Sequence, residues 1–378
     1  MNRPLLPLLA LAAPALGIAL GIALATIPAQ SAAPANRELG FVLTEFAPAT
    51  YQREGDCPEG LSGTIRENYL ARLDAAERTR LSLSANEAAL TAAWKASTQG
   101  PNHTNFCANP EAFPGRAQEK PFQGKVAAGL DLGAPECGGA DQGFTGPQGE
   151  AGIDNQAYRA IGCSRNYRGV DGVAGDIVGG SNMRLATGEQ SIVLRLRGVD
   201  STRDDDSVEV IIASTDDRPV LDSKGRFVDG ASFAMHANPA WRNRLAGRIV
   251  NGVLTTEPGF IRLDRKWGHG GQTGARAEWL LNAARLRLTF APDGSLKGVL
   301  GAYQTPRNIM ISSIAGGLGA ATVAGIDCPS QYATLLEYAD RARDSVTGQC
   351  TQVSMALDVA AVPAFVHEPA ANQPVPGS

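Results

Sequence analysis

Residues 260–272, FIRLDRKWGHGGQ, gather the groups of this chain best suited to hold a ligand: Arg265, Lys266, Trp267 and His269 on a glycine-flexible stretch. An indole can stack on a sugar ring, while the two cations bind its hydroxyls or a uronate carboxylate. His269 is also the weak candidate for a general acid or base, which would turn the same groups into a polysaccharide lyase or hydrolase. The plain structural alternative is a solvated hairpin loop with Trp267 folded onto a sheet.

A second set lies in FTGPQGEAGIDNQAYRAIGC, residues 144–163. Glu150, Asp154 and Asn155, with Asp131 and Asp141 upstream, offer oxygen ligands on a glycine-rich loop. Calcium is the cation such oxygens take, because it is a hard ion that accepts carboxylates, amide oxygens and backbone carbonyls together. The structural alternative gives the glycines to turns, uses Asp154 or Asn155 to cap a short helix over Gln156–Ile161, and lets Cys163 tie the segment down. The acidic loop 200–206 is a further cation candidate or a solvated hairpin tip.

Other chemistries find little support. There is no Gly-x-Ser-x-Gly elbow and no Cys-x-x-Cys, and the four histidines at 103, 236, 269 and 367 lack metal-site spacing. The glycines of GGLGAATVAG, residues 316–325, follow no strand and lack nucleotide-loop spacing, so no haem, nucleotide or flavin is indicated.

Export is expected. Met1-Asn2-Arg3 precedes an apolar run and then small residues, the order of a secretory signal peptide over residues 1–33. Pro7 and Pro14 weaken the run as a lasting membrane anchor, so the exported chain is read as periplasmic or secreted, without membrane insertion after cleavage. Loss of Arg3 leaves 33 basic against 38 acidic residues, which disfavours nucleic acid as a partner. In an oxidising compartment Cys57, Cys107, Cys137, Cys163, Cys328 and Cys350 are expected to form disulfides. Sequential pairing (57 with 107, 137 with 163, 328 with 350) is the simplest arrangement, since each bridge then brackets one local segment.

These groups need elements to position them. Residues 36–60 read as an irregular arm, and 62–98 as two short helices with leucines at spacings near three and four. From 99 to 190 the chain is rich in Gly, Pro and Asn, with little periodicity. Strand alternation begins at Ser191, where Ile192, Leu194 and Leu196 alternate with arginines, and Val208, Val210 and Ile212 repeat it. Hairpin signals follow at Asp222–Gly225, Asn251-Gly252 and Pro292–Gly294. Ile309–Gly325 reads as a small-residue helix or connector, and Cys328–Arg343 as an amphipathic helix.

The expected fold is mainly β with helical additions: an antiparallel sandwich or jelly roll over 191–366, preceded by a helical, irregular, disulfide-tied region over 34–190 and followed by a disordered tail over 367–378. The function this implies is an exported binding or structural protein whose partner is a polysaccharide or another exported protein. The alternative is a carbohydrate-active enzyme on a jelly roll.

Overall fold

The computed structural model describes residues 36–98, 106–107, 109–113, 119–138, 143–169, 175–265, 277–314 and 325–369. Residues 35–378 fall into one compact unit. The strands are β1 (Arg37–Pro48), β2 (Ser191–Val199), β3 (Asp205–Thr215), β4 (Ser232–Ala234), β5 (Arg242–Val250), β6 (Val253–Thr256), β7 (Gly259–Arg265), β8 (Ala277–Phe290), β9 (Leu296–Gln304), β10 (Arg341–Arg343), β11 (Cys350–Pro363) and β12 (Phe365–His367). The described helices, numbered here in chain order, are α1 (Ile65–Ala71), α2 (Ala75–Ser82), α3 (Glu87–Ala96), α4 (Gln156–Ile161), α5 (Arg165–Arg168), α6 (Asp176–Thr187), α7 (Pro306–Ile314) and α8 (Cys328–Glu337).

The chain is mainly β, and the described strands do not bear out a sandwich or jelly roll. The antiparallel order β1-β2-β3-β5-β6-β8-β9-β11 returns to its start because β1 also pairs with β11, which closes an eight-stranded barrel. Closure needs β1, and the sequence hides it. Its residues are buried on both faces: Phe41, Leu43 and Phe46 join the interior, while Val42 faces outward under β4 and β12 with Phe233 and Met235. A strand covered on both sides loses its polar alternation, so Arg37–Pro48 reads as an irregular arm. A β-bulge between Leu43 and Glu45 breaks the period further.

Inward-facing aliphatic side chains fill the barrel, among them Leu194 and Leu196 of β2, Leu286 and Leu288 of β8, Leu300 of β9 and Leu357 of β11. Each such burial contributes roughly 1.5–3 kcal/mol. The Asn251-Gly252 turn joins β5 to β6 with φ of 51° and 78°, the left-handed pair that a two-residue hairpin requires. Beyond Thr256 the path of β6 continues as β7, which pairs with the first half of β8. There the side chain of Asn243 joins β5 to β7: its Nδ2 donates to Arg262 O at 2.9 Å and its Oδ1 accepts from Arg262 N at 2.8 Å.

The helices α4, α6, α7 and α8 pack against the barrel where β1, β7 and β9 finish and β2, β8 and β11 begin. Three helices, not two, fill 62–98: a break near Ser84–Asn86 separates α2 from α3, and the first stretch is itself divided because Asp74 caps α2 by accepting from Ala76 N and Glu77 N. The helix starting at Cys328 stops at Glu337, since Arg341 and Arg343 pair with β11 instead.

Sequential disulfide pairing is corrected. The bridges are Cys57–Cys163, Cys107–Cys328 and Cys137–Cys350, at sequence separations of 106, 221 and 213. Proximity along the chain misleads here because the segments upstream of β2 fold back over the start of α8 and of β11, so Cys107 and Cys137 find partners near the other end of the sequence, while Cys57 and Cys163 join two segments upstream of β2.

Candidate functional site

The last residue of β7 carries the most unusual electrostatics described. Ile261, Leu263 and Arg265 share the inward face of β7, and the first two join the apolar interior. Strand period therefore drives the Arg265 guanidinium into the barrel, where the residue is 2% exposed. Its Cζ lies 5.0 Å from the centre of the Trp279 ring on β8, and that ring meets Phe46 of β1 edge-on at 5.4 Å. Nη1 of Arg265 is buried without a hydrogen-bond partner.

A guanidinium stays cationic in proteins, so its surroundings must accommodate the charge. Burial, and then the like charge of Arg184 on α6, pull its pKa well below the ordinary value, and among the described residues no carboxylate counters them. The stacked indole face recovers only a few kcal/mol at best. A planar anion would restore the balance, because a carboxylate matches the guanidinium fork with two parallel hydrogen bonds. Gln304 ends β9 on the inner face at the same end of the barrel; its Nε2 donates to Leu280 O at 3.3 Å and its Oε1 is buried without a partner.

Of the four ligand candidates on residues 260–272, Arg265 is thus placed inside the barrel, while Lys266, Trp267 and His269 lie outside the described residues, as does Asp141. The remaining cation candidates hold separate partners. Glu150 accepts from Gln148 N at 3.0 Å and faces Arg287 at 3.4 Å. Oδ2 of Asp154 accepts from Leu132 N at 2.7 Å, and burial pushes its pKa up to about 6. Asn155 caps α4 by accepting from Tyr158 N, as the structural alternative anticipates. In the acidic loop, Asp205 accepts from Asp200 N and Asp204 from Asn251 N, so these carboxylates serve backbone donors. Among the described residues no three His, Cys, Asp or Glu side chains group as a metal site.

The opposite end of the barrel carries a groove of about 710 Å³, walled by Phe41, Phe290, Pro363, Phe365 and Val366. Phe365 is 70% exposed. Arg195 lines the groove but is held by Glu38 and by Glu368, so its charge is already balanced.

Sequence reasoning missed Trp279 as the platform beneath Arg265. The signal was present: an inward position on a strand opposite Leu263, two residues before the inward Leu281. Comparison with models of protein families, with curated proteins and with solved structures finds no match for the chain.

Proposed function

We propose that this is an exported binding protein whose barrel presents Arg265, backed by Trp279, to the carboxylate of a small acidic ligand, with a uronate sugar as the class of choice. The observation that carries this reading is a buried guanidinium with a like-charged neighbour and, among the described residues, no carboxylate to offset it. Three disulfides support an oxidising compartment, and no described helix is long and apolar enough to cross a membrane. Binding is favoured over turnover because no described carboxylate stands against the guanidinium to act as acid or base. Calorimetric titration at low salt tests the proposal with glucuronate and galacturonate against glucose and galactose. The acids should bind, the neutral sugars should not, and Arg265→Gln should abolish the heat; silence from both acids, or equal binding of the neutral sugars, refutes it.

The apolar groove favours a second reading, a binding protein for an amphipathic molecule. Its volume suits a drug-sized ligand, and its walls are mostly apolar with charge at the rim. An environment-sensitive naphthylamine dye should then brighten on binding and lose its signal in Phe365→Ser; no brightening removes this reading.

A further inference from the structure

A second polar cluster joins Glu119, the turn Ser164–Asn166 and the first turn of α8. Glu119 is 5% exposed and Asp327 fully buried. Each carboxylate has one oxygen served by the protein: Asn68 Nδ2 donates to Asp327 Oδ2 at 3.1 Å, and Ser62 stands as a hydrogen-bonding neighbour of Glu119. Each has one oxygen left buried and without a partner, Glu119 Oε2 and Asp327 Oδ1. Gln331 repeats the arrangement, its Nε2 donating to Asn166 Oδ1 at 3.2 Å while its Oε1 has no partner. Asp327 sits at the N-cap of α8, yet its side chain caps no helical N–H.

Glu119, Asp327 and Gln331 line one cavity of about 10 Å³, room for a single water molecule or a single monatomic ion. A water has two protons to donate, so it serves these three oxygens only when Glu119 itself keeps a proton. A cation can satisfy all three. Two carboxylates balance a dication, and a set made only of oxygens is what calcium takes, whereas zinc prefers nitrogen and sulfur. Arg165 also lines the cavity; its Nη2 faces Glu67 at 3.4 Å, while its Nε is buried without a hydrogen-bond partner. The same cavity is far too small to seat a sugar ring, so this carboxylate pair does not serve glycoside cleavage.

We propose that this cavity binds one calcium ion through Glu119, Asp327 and the amide oxygen of Gln331. The site stands apart from Arg265 and does not depend on the binding function proposed above.

The test is thermal unfolding of the full exported protein after dialysis against EDTA. Added calcium should raise Tm by about 4 °C at one hundred times Kd, with smaller shifts from magnesium and none from sodium at matched ionic strength. Glu119→Gln and Asp327→Asn should each remove the calcium response, and Asp154→Asn should keep it. An absent calcium shift, an equal shift from sodium, or a response that survives Glu119→Gln overturns the proposal; loss of the response only in Asp154→Asn moves the ion to the 144–163 loop. If neither variant at Glu119 or Asp327 folds, the calcium content of desalted wild-type protein and its calorimetric titration decide. Neither bound calcium nor a titration heat would leave the cavity to a water beside a protonated Glu119.

Discussion

The two ends of the barrel are built from the same strands and differ in what closes them. At the groove end, tight hairpins such as Asn251-Gly252 and Pro292–Gly294 turn the chain, and the walls are Phe, Pro and Val. At the other end the connections are long, four helices pack across, and all three disulfides tie this covering together. Buried charge follows the same division, with Arg265, Glu119 and Asp327 all under the helical cover. The difference teaches that the bridges hold a polar lid on an apolar barrel that needs no such help elsewhere. Water-excluded charges are costly and strongly interacting, which suits ion recognition, whereas the groove can offer only contact with apolar matter.

Breaking the cover gives the largest expected effect. Removing the Cys107–Cys328 bridge with a Cys107→Ser/Cys328→Ser pair opens a loop of 221 residues and should cost about 5 kcal/mol in the chain-entropy account. Guanidinium denaturation monitors it. If the two ends are distinct, the naphthylamine dye should still bind the groove of the folded variant, and loss of dye binding would show that the ends are coupled.

A smaller effect separates the ends by pH. Folded Glu119 holds its proton up to about 8, while the unfolded chain releases it near 4.5, so the folded state binds more protons in that window. Stability should therefore fall as pH rises from about 4.5 to about 8 in EDTA, by a few kcal/mol, and level off above. Asp154 and Asp358, both pushed up to about 6, add to the lower part of the fall, so the span from pH 6 to 8 reports Glu119. Glu119→Gln should flatten that span, and so should calcium. An unchanged slope in Glu119→Gln would show that the buried carboxyl is not what titrates.

Smaller still is the groove. Phe365 is already exposed, so Phe365→Ser should change Tm by no more than about 1 °C. A large loss would mean that Phe365 supports the β4–β12 pair rather than a ligand.

The sequence showed the parts of this molecule whose period survives burial on one face. Ile192, Leu194 and Leu196 announce β2, and Asn251-Gly252 announces the turn from β5 to β6. It concealed β1, whose Val42 is covered by a small sheet formed from distant residues, and with β1 it concealed closure into a barrel. Arg265 was legible as a ligand candidate from its neighbours, but its inward direction follows only from β7 being a barrel strand in register with Leu263. Glu119 and Asp327 were not legible at all. They stand 208 residues apart, and Glu119 is docked on α8 by its N–H donating to Thr334 Oγ1 at 2.9 Å, a contact that local spacing cannot give.

The claim that Arg265 is an unbalanced charge kept for an anion is tested most directly by Arg265→Met, measured for both stability and uronate binding. Replacing a buried charge that has no described counter-ion with an apolar side chain of similar length should stabilise the ligand-free protein, because the desolvation cost of the charge is removed. A higher Tm together with abolished uronate binding is the predicted result. A Tm lowered by several degrees, or uronate binding that persists in Arg265→Met, would contradict it and return Arg265 to a purely structural role.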